Sequence, residues 1–202
     1  VLLLNRLFMF LKLIGKSKLN IWKPIKCIAD IFLWLWLFIY TVFSLHAFAF
    51  SENVEDKVYV IDKTWQYLVL NPLGGDSLGF TPPFIGVAFV NKEAVDDAKT
   101  SLEGIIKHES KHIEQFWALG FKHFQTDEWK LEGVADYVRG EPTANLCEPI
   151  IDETQTRLKY RDFFILAKYL IESQGLSENQ IYSFDEYPLD AATEWVLATE
   201  CN

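Results

Sequence analysis

Apolar and polar positions follow three different rhythms along this chain. From Ile31 to Phe43 the sequence is an unbroken apolar run with one Thr, and Ser44 to Phe50 extend it weakly. Val58 to Ile61 then has the character of a short strand, and Tyr67 to Leu70 predicts either a second strand or the end of a short helix. Asn71 to Pro83 holds Pro72, Gly74, Gly75, Gly79, Pro82 and Pro83 and reads as a loop. Phe84 to Val90 is β-branched and aromatic, bounded by Pro83 and Asn91, and is the best strand of the chain. Beyond it the rhythm lengthens to that of a helix. Ala94, Val95, Ala98, Leu102, Ile105, Ile106, Ile113 and Phe116 predict one long helix, capped by Asn91 and stopped at Gly120. A second helix, opened by Thr126 or Asp127, covers Glu128 to about Val138 before Gly140 and Pro142 halt it. A third runs from about Thr154 to Ser173, and Asp190 to Ala198 form a fourth. The pattern is that of an α+β protein, mainly helical, with a short sheet.

Charge turns the apolar run into a topological statement. Residues 1–30 carry six Lys/Arg against Asp30 alone, residues 31–50 carry no charge, and residues 51–202 carry 13 Lys/Arg and 27 Asp/Glu, a net of −14. Basic residues before the run and acids after it place the N-terminus in the cytoplasm and residue 51 onward across the membrane. Ala47-Phe48-Ala49 has the small-x-small form of a signal-peptidase site, and cleavage there leaves about 153 residues. About 20 residues from Ile31 to Phe50 also suffice for an uncleaved signal anchor, touching the membrane through residues 31–50. A start at Met9 rather than Val1 gives a shorter and more ordinary signal. The expected organisation is therefore residues 1–49 as signal peptide or anchor, and 50–202 as one exported domain in the periplasm, cell envelope or extracellular space. A body this acidic does not neutralise phosphates, which excludes nucleic acid as a partner. Cys147 and Cys201 fall in the exported part, where an oxidising compartment lets them pair and tie the tail to the middle of the domain.

The predicted long helix carries the chemistry. His108-Glu109-Ser110-Lys111-His112 places two imidazoles a little over one turn apart, on one face, able to reach a single ion. Glu109 stands beside the first of them, where it can take a proton from an ion-held water. A catalytic zinc needs three protein ligands and an open position. Glu132, on the following helix, is the expected third ligand, and Asp136 one turn on can hold a histidine N–H and fix its tautomer. The competing reading is a cell-envelope binding or structural protein in which this pattern is degenerate or accidental.

His108-Glu109-Ser110-Lys111-His112, followed by Glu132-Gly133-Val134-Ala135-Asp136-Tyr137-Val138, resembles the gluzincin metallopeptidases, and the second segment is similar to that of the basic secretory protein type. The likeness covers about residues 84–140 and, more loosely, the helix at 154–173. It implies a small zincin-like domain, one Zn²⁺ per chain held by His108, His112 and Glu132, Glu109 as general base, and a peptide or protein as substrate. It also implies that Phe84 to Val90 is the edge strand against which an extended peptide pairs. His123, Tyr137, Tyr160 and Tyr169 are the candidate donors to the oxyanion. Lys111 and Glu114 depart from the usual uncharged residues of such motifs, and are harmless if they face solvent.

Overall fold

The computed structural model describes residues 22–49, 52–55, 57–75, 77–82, 85–142, 145–147 and 156–201, without side chains at 22–25, 27, 43–44, 46–49, 52–55 and 156–158. The chain divides into two units, residues 1–43 and 44–202.

Helix α1 (Trp22–Ala49) contains the apolar run. Every residue from Ile31 to Ile39 is exposed. Nine consecutive residues turn through all faces of a helix, so α1 has no polar side and no buried side within this stretch. Among the described residues no helix is long and apolar enough to cross a membrane. The expected span at 31–50 lies partly, and the cleavage motif at Ala47–Ala49 wholly, outside the described side chains.

The body begins with strands β1 (Glu52–Glu55) and β2 (Val58–Ile61), helix α2 (Thr64–Leu70), and strands β3 (Gly79–Phe80) and β4 (Ala88–Asn91). These strands form one sheet in the order β1-β2-β4-β3. Strands β2 and β4 are parallel, with Val58 opposite Ala88, while β1 and β3 flank them antiparallel. Alternation divides the strand residues between two cores. Val58, Val60, Ala88 and Val90 pack with Val95, Ile105 and Ile113 of the helices behind them. Ile61 and Phe89 face Tyr67 of α2.

Three expectations are corrected here. The strand expected at Phe84 to Val90 is Ala88–Asn91, with residues 83–84 outside the description. It is not an edge strand, because β2 and β3 occupy both its sides. The edges are β1 and β3, and β3 lies inside the stretch expected to be only loop. Two residues with a glycine among them carry no periodicity, so the pattern could not reveal it.

The single long helix is two helices, α3 (Lys92–Asp97) and α4 (Leu102–Leu119). Asn91 caps the first by accepting from the Ala94 N–H, and Ser101 caps the second by accepting from Gly104 N–H at 3.1 Å. Lys99 between them has a left-handed backbone, φ 54°. Val95 and Leu102 are seven residues apart, a spacing that suits a continuous helix equally well, which is why the break is silent in the pattern.

A 3-10 turn (Gly120–Gln125) leads to α5 (Glu128–Arg139). Then follow α6 (Thr156–Lys168), continued as a π-helical turn Tyr169–Ser173, α7 (Glu178–Tyr182), which the pattern did not reveal, and α8 (Leu189–Glu200). Helices α5 to α8 share one apolar core around Val134, Ile165, Leu166, Leu170, Ile181 and Val196. Cys147 and Cys201 are disulfide-bonded, their Cα atoms 5.5 Å apart, joining the end of α8 to the segment after α5.

Candidate metal centre

Helices α4 and α5 meet across a cavity of about 820 Å³, roofed by Ser77 to Thr81 around β3. Each offers residues at helical spacing: Ile105, His108, Glu109, His112 and Phe116 from α4, and Glu132, Asp136 and Arg139 from α5. The depth of α5 is set by Gly133. A Cβ there would clash with the Phe163 carbonyl oxygen of α6, so only glycine allows the approach that fixes its neighbour Glu132.

Three donor atoms converge. His112 Nε2 lies 3.0 Å from His108 Nε2, and Glu132 offers one oxygen to each, both at 3.5 Å. Two nitrogens and a carboxylate oxygen about 2.0–2.1 Å from a tetrahedral zinc stand about 3.3–3.4 Å from one another, and the separations between the two rings and the carboxylate are of that order. Their protonation also fits a cation. His112 Nδ1 is 2.8 Å from Gln115 Oε1, and Gln115 spends its amide on the Leu131 carbonyl at 2.9 Å. Gln115 Oε1 is therefore an acceptor, and the Nδ1 of His112 must be the donor. His108 Nδ1 lies 2.9 Å from Asp136 Oδ1, close enough for the carboxylate to hold the proton there, though off the line of an ordinary hydrogen bond. With both protons on Nδ1, the two neutral rings turn lone pairs toward each other and toward a carboxylate. Only a cation, or an added proton, reconciles them.

The titration of the metal-free cluster expresses the same need. Burial disfavours the imidazolium at His108, but the contacts to Asp136 and Glu132 and the charge of Glu109 outweigh it and raise the group to about 10. His112 is also raised; burial and the His108 charge oppose this, and Glu132 overcomes them. Glu132 is held far below the usual carboxylate range, its burial outweighed by the two histidines.

Glu109 is 5% exposed and lies beneath β3. Its Oε2 accepts from the Thr81 hydroxyl at 2.8 Å, and a Cβ at Gly79 would stand 2.5 Å from its Oε1. The strand that roofs the cavity thus also grips the expected base.

Of the four candidate oxyanion donors, His123 and Tyr160 line the cavity, and Tyr137 and Tyr169 do not. Tyr137 bonds Glu172 and packs on the helical core, and Tyr169 accepts from Gln174 and lies against Trp195. Helical geometry explains the exclusion of Tyr137, since the residue next to Asp136 is turned about 100° away from it. Burial and the nearby His112 lower His123, whereas burial and the charges of Glu132, Glu128 and Asp136 raise Tyr160. Lys111 and Glu114 also stay outside the cavity. Glu114 is exposed as expected, but Lys111 is only 11% exposed and pairs with Glu114 and, at 3.0 Å, with Glu178 of α7.

Four participants were missed in the sequence. Gln115 lies three residues after His112, on the same helical face, and could have been found by that spacing. Thr81 and Gly79 reach Glu109 only through the sheet, and Arg139 enters the cavity only because α5 packs against α4. Compared with known proteins, the chain matches no family model, no curated protein and no solved structure.

Proposed function

We propose that this chain is an exported zinc-dependent metallopeptidase of zincin-like architecture, with residues 1–49 as its signal or anchor. One observation carries the reading: His108, His112 and Glu132 each offer one donor atom, all within 4.8 Å of one another, and both rings have their other nitrogen against Asp136 or Gln115. A bound zinc ion would polarise the scissile carbonyl and make its water acidic enough to ionise near neutral pH.

The protein's own groups would do the rest. Glu109, held by Thr81, takes the proton of the attacking water and passes it to the leaving amine. His123 or Tyr160 donates to the oxygen on which negative charge develops. Strand β3 has β4 on one side and, among the described residues, no second strand on the other, which leaves a ladder edge above the cavity for an extended peptide. The all-round apolar exposure of α1 supports lipid as the environment of that helix.

Zinc content of purified wild type, Glu132→Ala and Glu109→Gln tests the reading, with casein hydrolysis alongside. Wild type should hold one zinc per chain and cleave; Glu132→Ala should lose both properties; Glu109→Gln should keep the zinc and lose cleavage. A wild type without stoichiometric zinc ends the proposal.

A further inference from the structure

The cavity does not stop at the metal triangle. Its other end is lined by Lys99, Thr100, Arg139 and Glu141. The Arg139 side chain is only 8% exposed, yet it is poorly matched for a buried cation. Nη2 donates to the neutral Thr100 hydroxyl, and Nη1 is 3.7 Å from Asp136 Oδ1, beyond hydrogen-bond length. That same oxygen lies 2.9 Å from His108 Nδ1, so its charge is already shared with a metal-ligand ring. The Arg139 Nε–H is buried with no partner. A guanidinium offers five N–H donors in a fork shaped for a carboxylate, and leaving it under-paired in the interior is costly. Lys99 adds a second positive charge on this wall, on a backbone in the left-handed region. Glu141, also on the wall, is exposed and has the opposite sign.

We propose that the Arg139 end of the cavity is a carboxylate subsite, giving the centre a preference for peptides with an anionic group one or two residues from the bond cleaved. The distance suits this. Arg139 Nη1 and His108 Nδ1 lie 3.7 Å and 2.9 Å from one carboxylate oxygen, which keeps the guanidinium near the metal-ligand ring, and each residue of an extended peptide spans about 3.3–3.6 Å. The carboxylate is either the peptide's own C-terminus or an acidic side chain; both present the same planar pair of oxygens. The substrate class rests on the peptidase reading, whereas the anion site rests on Arg139 alone.

Calorimetric titration of full-chain Glu109→Gln protein, as purified, tests the subsite without turnover. N-acetyl-trialanine is compared with its C-terminal amide, and end-blocked N-acetyl-Ala-Glu-Ala-amide with its Gln counterpart. At least one acid should bind about tenfold or more tightly than its neutral partner, and the pair that shows the preference identifies the carboxylate's source. Adding Arg139→Gln should abolish the preference at unchanged zinc content, and Arg139→Lys should keep part of it. If Arg139→Gln does not fold, Arg139→Met serves instead, since it keeps an apolar stem in the same place and removes the guanidinium. Acids that bind no better than their neutral partners, or not at all, overturn the subsite, as does a preference that survives in folded Arg139→Gln protein. Preference without hydrolysis by wild type removes the peptidase reading and leaves the subsite. Hydrolysis without preference removes the subsite alone.

Discussion

Gln115 is the sharpest place to probe the centre, because it touches no metal and no substrate. Its side chain is 1% exposed, accepts from His112 and donates to the Leu131 carbonyl. Gln115→Met keeps most of the volume and removes both bonds, together with the hydrogen bond between Gln115 and Tyr182. Two effects follow, and they separate. The Leu131 carbonyl loses its side-chain donor in the interior, which costs about 1–3 kcal/mol of stability in the metal-free protein. For a protein of this size that is a fall in melting temperature of about 2–12 °C. Independently, the His112 ring loses the acceptor that keeps its proton on Nδ1. Loss of such an outer partner typically weakens metal binding about 10–100-fold, or about 1.4–2.7 kcal/mol. Zinc affinity is measured by competition with a chromogenic chelator at pH 7.5, on protein shown by circular dichroism to be folded. Gln115→Glu provides the contrast, since it restores an acceptor for His112 but not a donor for Leu131. Its affinity should match or exceed wild type while its stability falls. Unchanged zinc affinity in folded Gln115→Met would refute the assignment of Nδ1 as the protonated nitrogen of His112.

The remaining predictions concern the proton, the base and the crosslink. In metal-free protein His108 is raised to about 10, so its stabilising charge is complete below the ordinary histidine value of about 6.5 and is lost as pH rises toward 10. The stability of chelator-treated protein should therefore fall across that window by up to about 1.4 kcal/mol per pH unit, whereas zinc affinity should rise up to about tenfold per unit as the metal displaces the proton. Melting curves and chelator competition between pH 6.5 and 9.5 check both, and a flat metal-free profile contradicts the ion pair with Glu132 and Asp136. Gly79→Ala places a Cβ against the Glu109 carboxylate; hydrolysis should drop about 10²-fold or more with zinc retained, and near-normal hydrolysis would show that β3 does not set the base. Cys147 and Cys201 close a loop of 54 residues, so Cys201→Ser should cost about 4 kcal/mol by chemical denaturation in non-reducing buffer.

Much of the centre was legible because its parts are local. His108, Glu109 and His112 share a turn, Glu132 and Asp136 share another, and helical spacing aligns each set. What the pattern could not carry was tertiary. Strand β3 has two residues and no period, so the pattern puts the edge of the sheet at Phe84 to Val90, whereas the strand there, Ala88–Asn91, is buried and lies between two neighbours. The break at Ala98–Ser101 hides in a seven-residue spacing common to one helix and to two. Tyr137 and Tyr169 have suitable hydroxyls but the wrong rotation, and only the packing of α5 and the π-helical turn of α6 decides that.

The close contact of Gly133 with the Phe163 carbonyl has a consequence for how the centre is loaded. It holds α5 in place by packing on the side away from the cavity, against a core that owes nothing to an ion. The conformational entropy of bringing Glu132 to the two histidines is thus spent during folding, not at metal capture. Small zinc domains that order only around their ion unfold when it is withdrawn. Here a chelator should yield an intact apoprotein, and returning the ion should restore the centre without a refolding step. On the metallopeptidase reading, zinc would be an exchangeable ligand of a finished fold.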